Sequence, residues 1–181
     1  LVQSRNVSEA IANGFALIPE DRRRQGLTLI HSLESNVSLP NLKKLCGRLF
    51  LRPRNVKRYA SEAIEEFGVK ANSPSDPISS LSGGNQQKIV VARELNRGCR
   101  MLIAAQPTRG VDIASADYIQ GRILAAAEQG CAVLLISSDL DELIKVSDRI
   151  MVLFRGQIMG FVDADNATRE ALGRMMLGEA H

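Results

Sequence analysis

Several kinds of residue and pattern are scarce in this chain. There is no tryptophan, and aromatic residues make up 4% of the 181 positions. That leaves little with which to stack nucleic-acid bases. No apolar run approaches the ~18 residues a membrane-crossing helix needs; the longest, around residues 131–136, has the length of a buried strand. The two histidines, His31 and His181, stand too far apart in sequence to suggest a metal centre. Cys46, Cys99 and Cys131 are odd in number, widely spaced and free of any C-x-x-C pair, which predicts reduced, mostly buried thiols and no disulfide framework or zinc site. Net charge is only +3, with acids and bases interleaved, and this argues against a nucleic-acid surface. Nor is there a Gly-Lys pair anywhere, so the phosphate loop G-x-x-x-x-G-K-[ST] is absent from the sequence. The start, Leu1-Val2-Gln3-Ser4-Arg5, has neither an initiator Met nor signal-peptide organisation, and a piece of a longer cytosolic polypeptide is expected.

What remains is ordinary globular material, with 45% hydrophobic and 24% charged residues, long enough for one substantial core. Residues 6–26 combine a short helical pattern (Val7, Ala10, Ile11) with a strand-like run, Phe15-Ala16-Leu17-Ile18, and a charged turn over residues 20–26. Residues 27–98 read as mainly helical. Val56, Tyr59, Ala60, Ala63, Ile64 and Phe67 recur on one helical face, and Ser73-Pro74-Ser75-Asp76-Pro77 is a loop. From residue 99 onward, strands and helices alternate. Strands are predicted over 101–105 (central and covered on both faces), 132–136 (buried), 149–154 and 157–162, with Arg155-Gly156 as a tight turn between the last two. Helices are predicted over 114–129, 139–146 and 164–181. This order predicts an α/β core, residues 1–26 and 99–181, built on a parallel sheet and interrupted by a helical insertion, residues 27–98.

The most specific feature is Leu81-Ser82-Gly83-Gly84-Asn85-Gln86-Gln87-Lys88, followed by Val91-Ala92-Arg93. Glycines permit close approach to a ligand, and the amphipathic helix predicted over 86–96 would turn its unpaired amides and positive dipole end toward an anion. The plainer reading is that Ser82 N-caps a helix after a glycine turn. The order L-S-G-G-x-Q-Q-K-x-x-x-A-R resembles the signature motif of the ATP-binding-cassette (ABC) ATPases. With E-D-R-R-R-x-G-L, P-T-R-G-V-D and I-S-S-D-L-D-E-L…S-D-R-I, the resemblance covers nearly all of residues 6–177. It is closest to the C-terminal cassettes of bacterial importers for simple sugars and nucleosides, where two cassettes share one polypeptide. The Ala-Ala-Gln-Pro-Thr form looks most like the nucleoside branch.

The resemblance implies a partial P-loop ATPase fold without its phosphate-loop region. In Leu102-Ile103-Ala104-Ala105-Gln106-Pro107, Ala105 stands where the family carries a metal-binding Asp and Gln106 where it carries a catalytic Glu. An alanine offers no ligand, and a glutamine amide takes no proton from water. Ser138 stands in place of a γ-phosphate-contacting His, and Glu20 near a Gln that senses Mg2+ and meets the transporter. Asp112 ends the loop after the strand. Arg22, Arg23 and Arg24 read as a solvated turn paired with Glu20, Asp21 or a membrane partner, or else as a phosphate contact.

Because ABC cassettes face head to tail, the intact signature, Ser82, Gly83, Gly84, Asn85 and Gln86, would close over the γ-phosphate of ATP held by another cassette. The implied cofactors are ATP and Mg2+ in the full assembly, with none expected on this chain alone. No intact catalytic or metal site is expected in it. Implied partners are an N-terminal cassette of the same polypeptide or a second ATPase subunit, a transmembrane permease, and indirectly an extracytoplasmic substrate-binding protein, with no nucleic acid. The surface of residues 20–51, with exposed-looking Leu27, Leu29, Ile30 and Leu33, is the expected permease contact. Such a protein would sit peripherally on the cytoplasmic face of the bacterial membrane. Two alternatives are a non-transport ABC ATPase in nucleic-acid repair or translation and a purely structural pseudo-ATPase.

Overall fold

The computed structural model describes residues 4–46 and 52–179. They fall into two compact units that divide between residues 134 and 135. The first unit opens with helix α1 (Val7–Ala12), capped by the Asn6 side chain on the Glu9 amide, and strand β1 (Phe15–Ile18). The predicted charged turn is a single π-helical turn, Arg22–Gly26. Asp21 caps it by accepting the Arg23 and Arg24 amides at 3.0 and 3.1 Å. Helices α2 (Leu33–Ser38), α3 (Leu42–Leu45), α4 (Pro53–Glu66) and α5 (Gly83–Leu95) follow before strand β2 (Met101–Ala105). Helix α6 (Ile113–Glu128) leads to strand β3 (Ala132–Ile136). The three strands form one sheet in the order β1-β2-β3, and β1 runs parallel to β2 with Phe15 beside Met101 and Ile18 beside Ala104.

Helix α5 is the centre of this unit. The consecutive residues Ile89, Val90, Val91 and Ala92 are all buried, so the helix is covered nearly all round. It packs against α2, α4, α6 and β1. The amphipathic helix expected over 86–96 therefore begins three residues earlier and has no long solvent face. Helix α4 keeps the predicted face: Pro53 opens it at N1, Ala60 and Ala63 are buried, and Phe67, just past its end, is fully buried. The Arg122 guanidinium lies 4.2 Å from the Phe67 ring centroid, and the Tyr118 hydroxyl donates to the Glu66 carbonyl at 2.9 Å. Together these contacts dock the end of α4 on α6.

The second unit contains helix α7 (Leu140–Val146), strands β4 (Arg149–Phe154) and β5 (Gln157–Asp163), and helix α8 (Arg169–Met176). The strands form an antiparallel hairpin, with Ile150 opposite Val162. Arg155 and Gly156 both have positive φ, the requirement of a type I′ turn. Ile150, Val152, Leu172 and Met175 form its core, joined by Leu140, Leu143 and Ile144 of α7.

Four expectations need correction. Strand β3 is not buried: it is the last strand of its sheet, and Leu134 and Ile136 are 41% and 49% exposed. A short apolar run looks the same on a covered and an uncovered strand. For the same reason β2, although central, has one buried face rather than two; Leu102 and Ala104 are buried, and the residues between them are partly open. Cys131 alone among the cysteines is buried; Cys99 is half-buried and Cys46 exposed. The helix predicted over 164–181 is a 3-10 turn, Ala164–Asn166, then α8, because Thr168 caps a new helix start; residues 180 and 181 lie outside the described residues.

Phe67→Ala should lower unfolding stability by about 3–5 kcal/mol, because the cavity adds to lost transfer energy. Urea unfolding should show an earlier midpoint with unchanged slope.

Candidate functional site

The first turn of α5 starts at Ser82, whose Oγ accepts the Asn85 amide (3.4 Å) and Asn85 Nδ2 (3.0 Å). Asn85 Oδ1 in turn accepts the Lys70 amide at 2.9 Å. Gly83 and Gly84 are the first two helical residues, whose amides have no acceptor within the helix. Ser82 is exposed, so the positive end of α5 opens to solvent. Ser82 therefore is a cap, as the plainer reading had it, and the capped end faces outward as an anion site requires. Gln86 does something else. It is 2% exposed, and its Nε2 donates to the carbonyls of Ile78 (3.3 Å) and Leu81 (3.1 Å). Its side chain is thus committed to holding the loop before α5 and does not face an incoming phosphate.

The two glycines also have a structural cause absent from the motif itself. A Cβ on Gly84 would lie 2.4 Å from Ser115 Oγ and 2.8 Å from Asp112 Oδ2, and one on Gly83 would lie 2.7 Å from an Arg22 guanidinium nitrogen. Arg22 Nη1 donates to the Arg109 carbonyl at 2.9 Å and Nη2 to the Gly110 carbonyl at 3.3 Å. Of the two readings of the arginine run, Arg24 fits the paired turn, with Asp21, whereas Arg22 is an internal clamp. Burial lowers the Arg22 pKa from its ordinary value, the chief cause ahead of the like charge of Arg23. The Arg109 guanidinium reaches Glu20 in an ion pair, so Glu20 is engaged within the loop cluster.

After β2 the chain turns sharply. Gln106 has φ of 48°, an unusual value for a residue with a side chain, and the Arg109 amide donates to its carbonyl at 3.1 Å. Asp112 caps α6: its carboxylate accepts the Ser115 hydroxyl at 2.8 Å and the Ser115 amide at 2.9 Å. Those two bonds, the hydroxyl first, lower the Asp112 pKa below the ordinary carboxylate value. Ser138 belongs to the second unit, exposed just before Asp139, which caps α7. Leu27 and Leu33, expected on a partner surface, are core residues at 8% and 0% exposure, whereas Ile30 is 87% exposed; residues 47–51 of that surface lie outside the described residues.

The structure thus brings Arg22, Gly83, Gly84, Gly110, Asp112 and Ser115 into one cluster in the first unit. Gly110 and Ser115 are the members that sequence reasoning did not single out, and Arg22 was read only as one of three arginines in a turn. The run of three arginines signalled a turn but not which one points inward, and Ser115 carried only a cap spacing from Asp112. Beside this cluster, the exposed Ser82 hydroxyl and the first amides of α5 are the groups whose chemistry suits an anion, while Arg22 and Ser115 are engaged with the Arg109 and Gly110 carbonyls and with Asp112. Of the positions a cation would need, Ala105 has no donor and Gln106 offers an amide, and the carboxylates of Glu20 and Asp112 are engaged by Arg109 and Ser115.

No family model matches the chain. It is 43% identical over 163 residues to the nucleoside import ATP-binding protein NupA of Lactococcus lactis subsp. cremoris, covering 89% of this chain and 32% of that protein. It is 37% identical over 177 residues to the ribose import ATP-binding protein RbsA of Geobacillus kaustophilus, covering 98% of this chain and 36% of that protein. The chain therefore spans about a third of the length of these relatives. Among solved structures, a post-hydrolysis dimer of an ATP-binding cassette bound to ADP and Pi matches with TM-score 0.71 and 21% identity, over 84% of this chain and 63% of that one. A dimeric bacterial ABC transporter cassette matches with TM-score 0.67 and 24% identity, over 83% and 62%.

Gly84→Ala should destabilise the protein. The gain of at most ~1 kcal/mol from alanine in a helix is outweighed by the ~1–3 kcal/mol of overpacking against the Asp112–Ser115 cap. Adding Ser115→Ala should recover part of the loss in a chemical-denaturation double-mutant cycle. Asp112 has a depressed folded pKa, so its contribution is present above the unfolded value and is lost as pH falls through the folded one. Asp112→Asn should flatten that part of the stability decline as pH falls from about 5 to below the ordinary carboxylate value in urea titrations.

Proposed function

We propose that this chain, a homologue of ABC import ATP-binding proteins with the fold of an ATP-binding cassette, is the impaired second cassette of a bacterial importer for nucleosides or simple sugars. In this reading its task is to complete the ATP site of a partner cassette, on the same polypeptide or on a second ATPase subunit. The observation that carries it is the outward-facing end of α5. Ser82 is exposed there and Gly83 partly so, with Gly84 buried just behind them, while Ala105 and Gln106 in the same unit carry no carboxylate. ATP, held with Mg2+ by the partner, would supply the terminal phosphate that the Ser82 end of α5 receives.

The chain's own residues divide the work. Ser82 and the Gly83 and Gly84 amides would receive the anionic phosphate, and electrostatic stabilisation of that group is the main term in phosphoryl transfer. Asn85 orients the Ser82 hydroxyl, and Arg22 supports Gly83 from behind. Gln86 holds the backbone that presents them. Among the described residues no helix is long and apolar enough to cross a membrane, and the proposed place is peripheral, against a permease on the cytoplasmic face. Ile30, the exposed member of the expected contact surface, is the candidate anchor.

The test is ATPase and uptake activity of the reconstituted transporter. Ser82→Asp keeps a good helix cap but sets a negative charge against the phosphate. It should reduce turnover about 10²-fold or more, the scale of losing an oxyanion contact, while the thermal midpoint stays close to that of the unsubstituted protein. Gln106→Ala should change turnover by less than about 2-fold, since there is no working base to remove. Equal losses from both substitutions would end the asymmetric reading; full activity in both would favour a structural role for this cassette.

A further inference from the structure

Two cysteines that the sequence separates meet in the fold. Shortly after helices α5 and α6 the chain passes a glycine with positive φ, Gly98 at 74° and Gly130 at 91°, and each glycine is followed at once by a cysteine, one or two residues before the next strand. Both glycine–cysteine pairs thus lie just ahead of neighbouring strands. The Ala132 amide donates to the Arg100 carbonyl at 2.9 Å, drawing the two turns together. Cys99 Sγ and Cys131 Sγ come within 3.0 Å of each other. The Cys131 thiol also lies 3.6 Å from the Ala132 carbonyl as a donor, which leaves the Cys99 thiol to donate to Cys131. A further approach of about 1 Å brings the sulfurs to the ~2.05 Å of a bond. Cys99 also lines a cavity of about 250 Å³ together with Gly14, Phe15, Asn41 and Arg97, which gives a small molecule a route to it.

We propose that Cys99 and Cys131 are a modification site for peroxides, closing reversibly into a disulfide that ties the turn after α5 to the turn after α6. The Cys99 sulfur, as thiolate, attacks one peroxide oxygen and the O–O bond breaks. This leaves Cys99 as a sulfenic acid and releases the other oxygen as an alcohol, or as water from hydrogen peroxide. The Cys131 sulfur, giving up its proton, then displaces hydroxide from the Cys99 sulfur, and proton and hydroxide leave as water. Two thiols and one peroxide give one disulfide, one alcohol or water, and one water; the two electrons lost by sulfur reduce the O–O bond. Burial, with the hydrogen bond to Cys131, pushes the Cys99 thiol up to about 12. Little thiolate is present at neutral pH, so the pair responds slowly, to sustained oxidation. Neither cysteine is part of the cluster around Ser82, and the proposal stands apart from the importer reading.

The full chain should be treated with hydrogen peroxide and digested without reduction. The expected result is an intact-mass loss of about 2 Da, a cross-linked peptide joining Cys99 to Cys131, and recovery of both thiols with dithiothreitol. The oxidised form should melt several degrees higher, because the link restrains the unfolded chain. Cys46→Ser should behave identically, and Cys131→Ser should accumulate oxidised Cys99 with no internal link. Links running through Cys46 would overturn the proposal. So would a gain of about 32 Da, the sulfinic acid, on Cys99 of the unsubstituted chain while Cys131 stays a free thiol.

Discussion

Arg22 reaches across from the π-helical turn to hold the carbonyls of Arg109 and Gly110, with the edge of its guanidinium against Gly83. Three segments far apart in sequence converge on this side chain: the turn after β1, the loop after β2 and the start of α5. Backbone carbonyls drawn into a packed corner need donors, and a guanidinium supplies two in a fixed fork. A Cβ at Gly83 would have to push the tip of that guanidinium aside. At Gly84 a Cβ would meet the Asp112–Ser115 cap, so that glycine is required by the protein's own packing before any ligand is considered.

The same economy runs along α5. Its buried centre, Ile89 to Ala92, anchors it among α2, α4, α6 and β1. Its polar residues are used to brace neighbours. Gln86 binds the carbonyls of Ile78 and Leu81, Arg93 reaches the Gly26 carbonyl, and the largely buried Glu94 pairs with both Arg93 and Arg97. A helix fixed this firmly presents its N-terminal amides in a set direction, which is what pre-organised stabilisation of a phosphate demands. The asymmetry behind the proposed function follows from this contrast. A rigid, open helix end lies in the same unit as a strand end whose side chains, Ala105 and Gln106, carry no negative charge.

The two glycine–cysteine turns illustrate how repeated local geometry creates a distant contact. Each turn is an ordinary way to leave a helix, with glycine accepting the positive φ that ends it. Because the following strands are neighbours in one sheet, cysteines just ahead of each strand become neighbours too. A spacing of 32 positions gives no hint of this.

The sequence by itself determined the elements and the kinship. The periodicity of α4, the strands at Phe15–Ile18 and Met101–Ala105, the Arg155-Gly156 hairpin turn and the signature order were all legible, because each depends on residues close together in the chain. That Ala105 and Gln106 carry no carboxylate was equally plain, since it is a matter of identity rather than placement. Tertiary structure decided the rest. Whether an apolar residue is core or surface depends on what lies opposite it, so Leu33 is buried while Ile30 and Ile136 are exposed, against expectation for two of the three. Which arginine of three turns inward, whether Gln86 faces a ligand or the loop beneath it, and whether Cys99 meets Cys131 are all set by contacts between distant segments. No local pattern encodes those distances; packing of α5 against the sheet and its neighbouring helices does.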